Sequence, residues 1–231
     1  MLYIIGDTHG DWSCLNSTVN KLVQNNDDNI DIIITGDFGY WPKFDDYNID
    51  KIKTFDDRVK YYFCPGNHED WWSLLNIDTT ENKIVEIHKN IFYCSFGAVK
   101  VFNGYNFLFC GGADSVDKNQ RTLGFDWFPQ EVISTKDMYQ LPEKTKIDVI
   151  ISHTCPTFCL NYLKLSWISN MKDCSCDFLQ CVHQIYNPKL WFFGHFHKFH
   201  TFNSYGTKFV CLDYCRGHSR YLVNFDDYIG G

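Results

Sequence analysis

Short apolar runs and one helical pattern organise the first third of the chain. Apolar runs predict strands at residues 2–7, 31–37 and 59–64, and the consecutive isoleucines in the second are typical of a sheet covered on both faces. Between the first two, Leu15, Val19 and Leu22 recur at helical spacing and predict a helix over residues 11–24. The order strand, helix, strand predicts that these strands pair in parallel.

The rest of the chain carries shorter strand patterns and fewer helical ones. Strands are predicted at residues 84–88, 91–95, 99–102, 105–110, 147–152, 190–193, 208–213 and 221–225. Helices are predicted to begin at Pro129 and to span residues 178–186. We predict one domain over residues 1–231 with two sheets, the second more antiparallel than the first. Residues 159–177 lack a clear period and are predicted to form a mobile flap.

Composition limits the partners and the compartment. A net charge of −7 without a long basic run argues against binding a nucleic-acid duplex, which needs a basic stripe. No apolar run approaches the roughly 18 residues of a membrane span, and no signal peptide is evident. The 11 cysteines, an odd number, indicate reduced thiols, so we expect a cytoplasmic protein. A less favoured alternative is a structural zinc ion held by the pairs Cys155/Cys159 and Cys211/Cys215.

Metal-ligand side chains follow predicted strands in five short motifs: Gly6-Asp7-Thr8-His9, Gly36-Asp37, Gly66-Asn67-His68-Glu69, Ser152-His153 and Gly194-His195-Phe196-His197. Strands that end in such residues present them at one edge of a sheet, so the set predicts a metal site. Nitrogen and oxygen donors without thiolate suit Mn, Fe, Co, Ni or Zn rather than Ca. Asp7 and Asp37 could each hold an ion, and two ions roughly 3.5–4 Å apart can clamp both oxygens of an in-line displacement at phosphorus.

The ordered motifs, which span residues 6–197, resemble those of the calcineurin-like metallophosphoesterase superfamily. Residues 111–121 resemble a segment of its small stand-alone bacterial and phage members. The resemblance implies an α/β fold in which two mixed β-sheets are sandwiched between helices, in four layers (α/β/β/α), around two divalent metal ions. Manganese is our first choice of metal, with Fe, Zn, Ni or Co as alternatives.

Carried over by position, the resemblance assigns a ligand set to each ion. It puts one ion on Asp7, His9, Asp37 and His197, and the other on Asp37, Asn67, His153 and His195, so that Asp37 bridges the two.

The resemblance also implies that His68 is the general acid and that Asn67 and His68 contact the phosphate. An imidazole that titrates near neutral pH is suited to protonating a leaving alkoxide, and Glu69 or Asp70 is the expected carboxylate partner that offsets the effect of the cations on its pKa. The alternative is that His68 is a structural residue behind the ligands. Lys118 and Arg121 are predicted to hold a non-bridging phosphate oxygen, and the alternative is an ordinary solvated loop.

Departures of this sequence from the motifs of known subfamilies reduce the range of candidate substrates. The arginine that follows Gly-Asp in the protein phosphatases of the superfamily is absent after Asp37, which disfavours a phosphoprotein. Tyr40 has the spacing of the tyrosine ligand of purple acid phosphatases, but those enzymes lack a histidine at the position of His9, so Tyr40 is expected to line the cleft or pack in the core. Aromatic residues that follow the motifs, and one in the middle loop, could stack a nucleobase or simply pack in the core: Trp12, Tyr40, Trp41, Trp71 and Trp72, and in the loop Trp127.

We therefore predict a metallophosphoesterase, a hydrolase in which a hydroxide bridging the two metal ions attacks phosphorus and His68 protonates the leaving oxygen. The predicted substrate is a small phosphomonoester or phosphodiester, with nucleotides and cyclic nucleotides as candidates. Two alternatives are a small metal-dependent nuclease acting on single strands and a non-catalytic, protein-binding scaffold of the same fold. The oligomeric state is not predicted.

Overall fold

The computed structural model describes residues 1–54, 57–165 and 173–229. The strands in these ranges form two six-stranded sheets. The first sheet contains, in spatial order, β12 (Leu222–Asn224), β1 (Leu2–Ile5), β2 (Ile30–Ile34), β3 (Val59–Phe63), β5 (Ile91–Cys94) and β4 (Ile84–His88). The second contains β10 (His200–Ser204), β11 (Thr207–Cys211), β9 (Leu190–Phe193), β8 (Val149–Ser152), β7 (Tyr105–Cys110) and β6 (Ala98–Phe102).

Both sheets are mixed in the same way. In each, the four inner strands pair in parallel and the strand at either edge pairs antiparallel. The prediction that the second sheet is more antiparallel is therefore wrong. The short strands of the middle region divide between the sheets: β4 and β5 extend the first sheet, and β6 and β7 begin the second, so each sheet gains one antiparallel edge.

Successive side chains of each strand point to opposite faces of its sheet, and the buried ones among the described residues form three hydrophobic clusters. Ile33 of β2 faces the cluster between the sheets, whereas Ile32 and Ile34 face the outer cluster under α1 (Trp12–Gln24). A third cluster lies on the outer face of the second sheet and contains Leu179 and Val182 of α5 (Cys174–Tyr186). This arrangement confirms the predicted α/β fold with two mixed sheets between helices. In the described part of the chain, the shorter helices are α2 (Trp71–Leu75), α3 (Thr135–Met138) and α4 (Leu160–Leu163).

Some predicted boundaries shift for local reasons. Helix α5 begins at Cys174, before the predicted start, because the Asp173 side chain caps it by accepting a hydrogen bond of 2.8 Å from the N–H of Ser175. The helix predicted at Pro129 is only a 3-10 turn, Pro129–Glu131. Strand β10 was not predicted because all its residues except Phe202 are polar; they alternate between half-buried and exposed positions.

Two further expectations concern the flap and the membrane. Residues 166–172, the centre of the predicted flap, lie outside the described residues. Within the described ranges, none of the helices is both long and apolar enough to cross a bilayer.

Candidate metal centre

The carboxyl ends of five parallel strands carry the motifs of the candidate centre. The first sheet contributes Asp7 and His9 after β1, Asp37 after β2, and Asn67 and His68 after β3; the second contributes His153 after β8, and His195 and His197 after β9. Parallel strands bring their carboxyl ends to the same edge, and packing of the two sheets brings both edges together. The structure therefore places all the predicted ligands at one location.

One half of the candidate centre is formed by Asp7, His9, His197 and one oxygen of Asp37. The Nε2 atoms of His9 and His197 lie 3.0 Å apart, and the Nε2 atom of His197 lies 3.3 Å from Oδ2 of Asp7. Nε2 of His9 is 3.7 Å from Oδ2 of Asp37. These residues are the set that the resemblance assigned to one ion.

The other half converges on Nε2 of His153. This atom lies 3.1 Å from Oδ1 of Asn67, 3.2 Å from Nδ1 of His195 and 3.3 Å from Oδ2 of Asp37. Oδ2 of Asp37 is thus the atom that approaches both halves. That position is the one a bridging carboxylate would occupy.

The spacing of these atoms fits metal coordination. Neighbouring ligands on one ion, at metal–ligand distances of about 2.1 Å, are about 3.0–3.4 Å apart, which is close to the separations of 3.0–3.3 Å measured here. Two ring nitrogens that face each other need either a proton or a shared cation between them. The residues present therefore fit two divalent ions.

Local backbone and hydrogen bonds orient the ligands. His153 donates from Nδ1 to the carbonyl oxygen of Thr35 at 3.0 Å, which leaves Nε2 free to bind a cation. A Cβ atom at Gly194 would collide with the carboxylate of Asp7, so only glycine fits before His195. Four candidate ligands adopt left-handed backbone conformations, at an expected cost of about 1–3 kcal/mol each: His9, Asp37, His195 and His197. Sequence reasoning did not foresee this strain.

Buried charge dominates the electrostatics of the centre. Asp7 and Asp37 are fully buried. Burial alone would lower the pKa of His153, but the carboxylates of Asp37 and Asp7 outweigh it and raise that pKa to about 10. Burial and the positive charge of His153 hold the pKa of His195 well below its usual value. The metal-free protein therefore keeps a proton on His153 that a cation would displace.

We expect the metal-free protein to lose stability with rising pH. Because the pKa of His153 is raised on folding from 6.5 to about 10, its contribution is complete below pH 6.5 and is lost as the pH rises through 10. The predicted loss in the free energy of unfolding is on the order of a few kcal/mol. Denaturant titrations in EDTA between pH 6 and 10 measure it, and His153→Asn should flatten the profile. An equally steep profile for that variant would contradict the prediction.

His68 lies beside the cluster and faces Arg121. Its backbone N–H donates to Oδ1 of Asp37 at 2.8 Å, and its ring Nε2 accepts from Nη2 of Arg121 at 2.9 Å. Burial, followed by the charges of Arg121 and the neighbouring histidines, lowers the pKa of His68 despite the opposing effect of Asp37. The carboxylate that raises the pKa of His68 is Asp37, not the predicted Glu69 or Asp70. Glu69 accepts the N–H of Gly66 at 2.7 Å, and Asp70 caps α2.

A cavity of about 420 Å³ opens beside His68, and it is lined by His9, Gly39, Trp41, Tyr47, His68, Asp117, Gln120, Arg121 and Asp126. Nε of Arg121 lies 2.7 Å from Oδ1 of Asp117, which holds the guanidinium at the cavity wall. Lys118 is not among the lining residues; its Nζ atom pairs with Asp114 at 2.5 Å. The structure thus brings Arg121, but not Lys118, to His68.

The aromatic residues named in the sequence analysis have different surroundings, and Trp72 is 47% exposed. Trp41 lines the cavity, whereas Trp12 and Trp71 are buried in the cluster under α1. Tyr40 packs at the same cluster, 6.4 Å from the ring of Phe63, and burial raises the pKa of its hydroxyl, which favours the packing role over a tyrosinate ligand.

The alternative zinc site does not form in the described part of the chain. None of the groups with metal-ligand spacing found there contains a cysteine. Cys155, Cys159 and Cys211 belong to the cluster on the outer face of the second sheet, whereas Cys215 belongs to the cluster under α1, so the fourth thiol lies apart from the other three.

Comparisons with known proteins agree with this geometry. The model of the family "calcineurin-like phosphoesterase" matches residues 1–199. No curated protein sequence matches significantly.

Solved structures give the same picture of the fold. The protein TT1561 of Thermus thermophilus superposes with a TM-score of 0.54 and 14% identity, over 92% of this chain and 89% of that one. A putative 5'-nucleotidase from Staphylococcus aureus in complex with alpha-ketoglutarate gives a TM-score of 0.52 and 13% identity, over 93% of this chain but only 48% of that one, so this chain spans about half its length. At these identities the likeness shows the fold alone. The family match over most of the chain, together with this fold and cluster, shows that the chain belongs to the calcineurin-like phosphoesterase family.

Proposed function

We propose that the protein is a metal-dependent hydrolase of small phosphomonoesters or phosphodiesters. The proposal rests on one observation: the two halves of the candidate centre share Asp37 and lie beside a cavity that His68 and Arg121 line. One domain over residues 1–231 and a cytoplasmic location stay predictions from the sequence.

The metal ligands of the proposal are those of the two halves of the centre. Asp7, His9, Asp37 and His197 would hold one ion, and Asp37, Asn67, His153 and His195 the other. When bound, two divalent ions supply an activated water and neutralise the charge that develops on the phosphoryl group. Nitrogen and oxygen donors without thiolate suit Mn, Fe, Co, Ni or Zn, and manganese stays our first choice among them.

Residues of the chain would supply the remaining steps. Arg121 offers a planar fork of donors for a non-bridging phosphate oxygen, and phosphate is a stronger acceptor than a neutral imidazole. Binding of the substrate would therefore draw the guanidinium away from Nε2 of His68, to which it now donates. The released Nε2 atom can then take a proton from water, which the negative charge of the bound phosphate favours, and donate it to the leaving oxygen.

The residues that line the cavity indicate which group the substrate carries besides its phosphate. Trp41 and Tyr47 line it, and stacking of a base on an aromatic ring contributes about 1–3 kcal/mol. This supports nucleotides and cyclic nucleotides as candidate substrates. Asp117 and Asp126 also line the cavity and would repel a run of phosphates, which disfavours a long nucleic-acid strand.

A substrate screen with Mn²⁺ tests the proposal. We expect hydrolysis of bis(p-nitrophenyl) phosphate or p-nitrophenyl phosphate that EDTA abolishes and Mn²⁺ restores, and then a preference among nucleotides, cyclic nucleotides, phosphosugars and phosphopeptides. Metal bound without turnover of any ester would favour the scaffold. Faster cleavage of a short single strand than of a mononucleotide would favour the nuclease.

Arg121 and Lys118 form a matched pair of variants. We expect Arg121→Ala to lower kcat/KM by about 10-fold or more, since a hydrogen bond to a charged group contributes about 1.5–3 kcal/mol. Lys118→Ala should change it less than about 3-fold, because Lys118 does not line the cavity and its ion pair with Asp114 is partly exposed. Steady-state kinetics measure both. The assignment fails if the two variants are affected equally or in the reverse order.

A further inference from the structure

A buried chain of hydrogen bonds leads away from Asn67. Nδ2 of Asn67 donates to Oγ of Ser115 at 3.0 Å, and the backbone N–H of Ser115 donates to Oε1 of Glu131 at 2.7 Å. Burial raises the pKa of Glu131 to about 7, and its interactions with the hydroxyl and the N–H of Ser115 oppose that rise. Asn67, Ser115 and Glu131 are 4%, 1% and 0% exposed. Neither Ser115 nor Glu131 belongs to the metal-ligand motifs.

The direction of this chain follows from donor and acceptor chemistry. An asparagine side chain can turn either its oxygen or its NH₂ group towards a neighbouring hydroxyl. The hydroxyl accepts a hydrogen bond from the NH₂ group or donates one to the oxygen. An ionised carboxylate only accepts, so the ionised form of Glu131 takes the hydroxyl hydrogen of Ser115 and leaves Oγ as an acceptor. The matching group of Asn67 is its NH₂, so Oδ1 turns to Nε2 of His153, 3.1 Å away.

Glu131 has little reason to be buried for stability. Its Oε2 atom has no hydrogen-bond partner among the described residues. Burying a carboxylate that is only partly satisfied costs free energy. Its position is held by the 3-10 turn Pro129–Glu131 and by the N–H of Ala113, which donates to the Glu131 carbonyl oxygen at 2.9 Å. The fold thus places the Glu131 carboxylate next to Ser115, although its burial lowers the stability of the folded state.

We propose that Glu131, acting through Ser115, is a positioning residue that fixes the amide of Asn67 with its oxygen towards the metal centre. The inference rests on the proposed function only in requiring a cation at Asn67. With the amide reversed, two N–H donors would face the cation and a ligand would be lost.

Metal affinity tests the proposal independently of turnover. Calorimetric titration of EDTA-stripped protein with Mn²⁺ should show two sites in the wild type. We expect Ser115→Ala to weaken one site by about 10–100-fold, as loss of a group that orients a ligand does. Ser115→Thr, which keeps the hydroxyl, should restore most of the affinity. Glu131→Gln keeps the shape but lets the Ser115 hydroxyl point either way, so we expect about a 10-fold loss.

Ser175→Ala is the matched control. Ser175 is as buried as Ser115, and its Oγ atom accepts a backbone N–H, that of Ile133, at 3.1 Å, but it touches no candidate ligand. We expect wild-type Mn²⁺ affinity for it. Wild-type affinity in Ser115→Ala, or an equal loss in Ser115→Ala and Ser175→Ala, would overturn the positioning role. If Ser115→Ala does not fold, unchanged affinity in Glu131→Gln overturns it. Failure of the wild type to bind Mn²⁺ would instead refute the proposed function.

Discussion

Replacing His68 by alanine is expected to slow hydrolysis of an alkyl phosphodiester by about 10²–10⁴-fold, the usual contribution of a general acid. The expectation rests on the position of His68. Its ring faces the cavity, and its backbone is held by the carboxylate of Asp37 at 2.8 Å. Steady-state turnover with saturating Mn²⁺ measures the effect, and the metal content of the variant should equal that of the wild type.

The leaving group separates acid catalysis from other roles of His68. A p-nitrophenolate departs with little need of a proton, so the same variant should lose less activity on bis(p-nitrophenyl) phosphate than on the alkyl ester. His88→Ala is the control, because His88 lies on β4 and pairs with Asp50 at 2.7 Å, outside the centre. Equal alkyl-ester rates in His68→Ala and the wild type would remove His68 from the role of acid.

Replacing Asp37 by asparagine is expected to empty the centre. Oδ2 of Asp37 approaches His9 at 3.7 Å and His153 at 3.3 Å, so one substitution removes an anionic ligand from both halves. We expect about two ions per chain in the wild type and fewer than one in the variant, with activity reduced by more than about 10³-fold. Elemental analysis after dialysis against Mn²⁺ measures the ion content.

Thermal unfolding gives a second measurement of the same substitution. An ion present at 100 times its dissociation constant stabilises the folded state by about 2.7 kcal/mol per site. Addition of Mn²⁺ should therefore raise the Tm of the wild type and leave that of Asp37→Asn unchanged. Asp31→Asn, also on the first sheet but outside the centre, should retain both the ions and the Tm increase. Two ions bound to Asp37→Asn would refute the bridging role.

Much of the candidate site could be predicted because its motifs are local. Each ligand follows a strand whose apolar pattern is readable, and the strands 105–110 and 190–193 were predicted with the bounds that the structure has. Strand pairing could not be read in the same way. Residues 84–94 and 98–110 carry similar short patterns, but the first group joins β3 and the second joins β8. Pairing depends on contacts between distant segments, which local periodicity does not encode.

The roles of the residues beyond the motifs depended on tertiary contacts. Lys118 and Arg121 lie on one short turn, but Lys118 pairs with Asp114 whereas Arg121 reaches His68, which is 53 positions away in the sequence. Ser115 and Glu131 lie outside the five metal-ligand motifs, and only the folded chain brings them behind Asn67.

The sequence by itself determined which strands carry ligand chemistry at their ends, because side-chain type and period are local properties of the chain. The tertiary structure decided which of those ends meet. His9 and His197 are separated by 188 positions, and only the packing of one sheet on the other brings their ring nitrogens to 3.0 Å. It also buried two carboxylates beside one histidine, and the proton affinity of that histidine arises from their proximity and the exclusion of water.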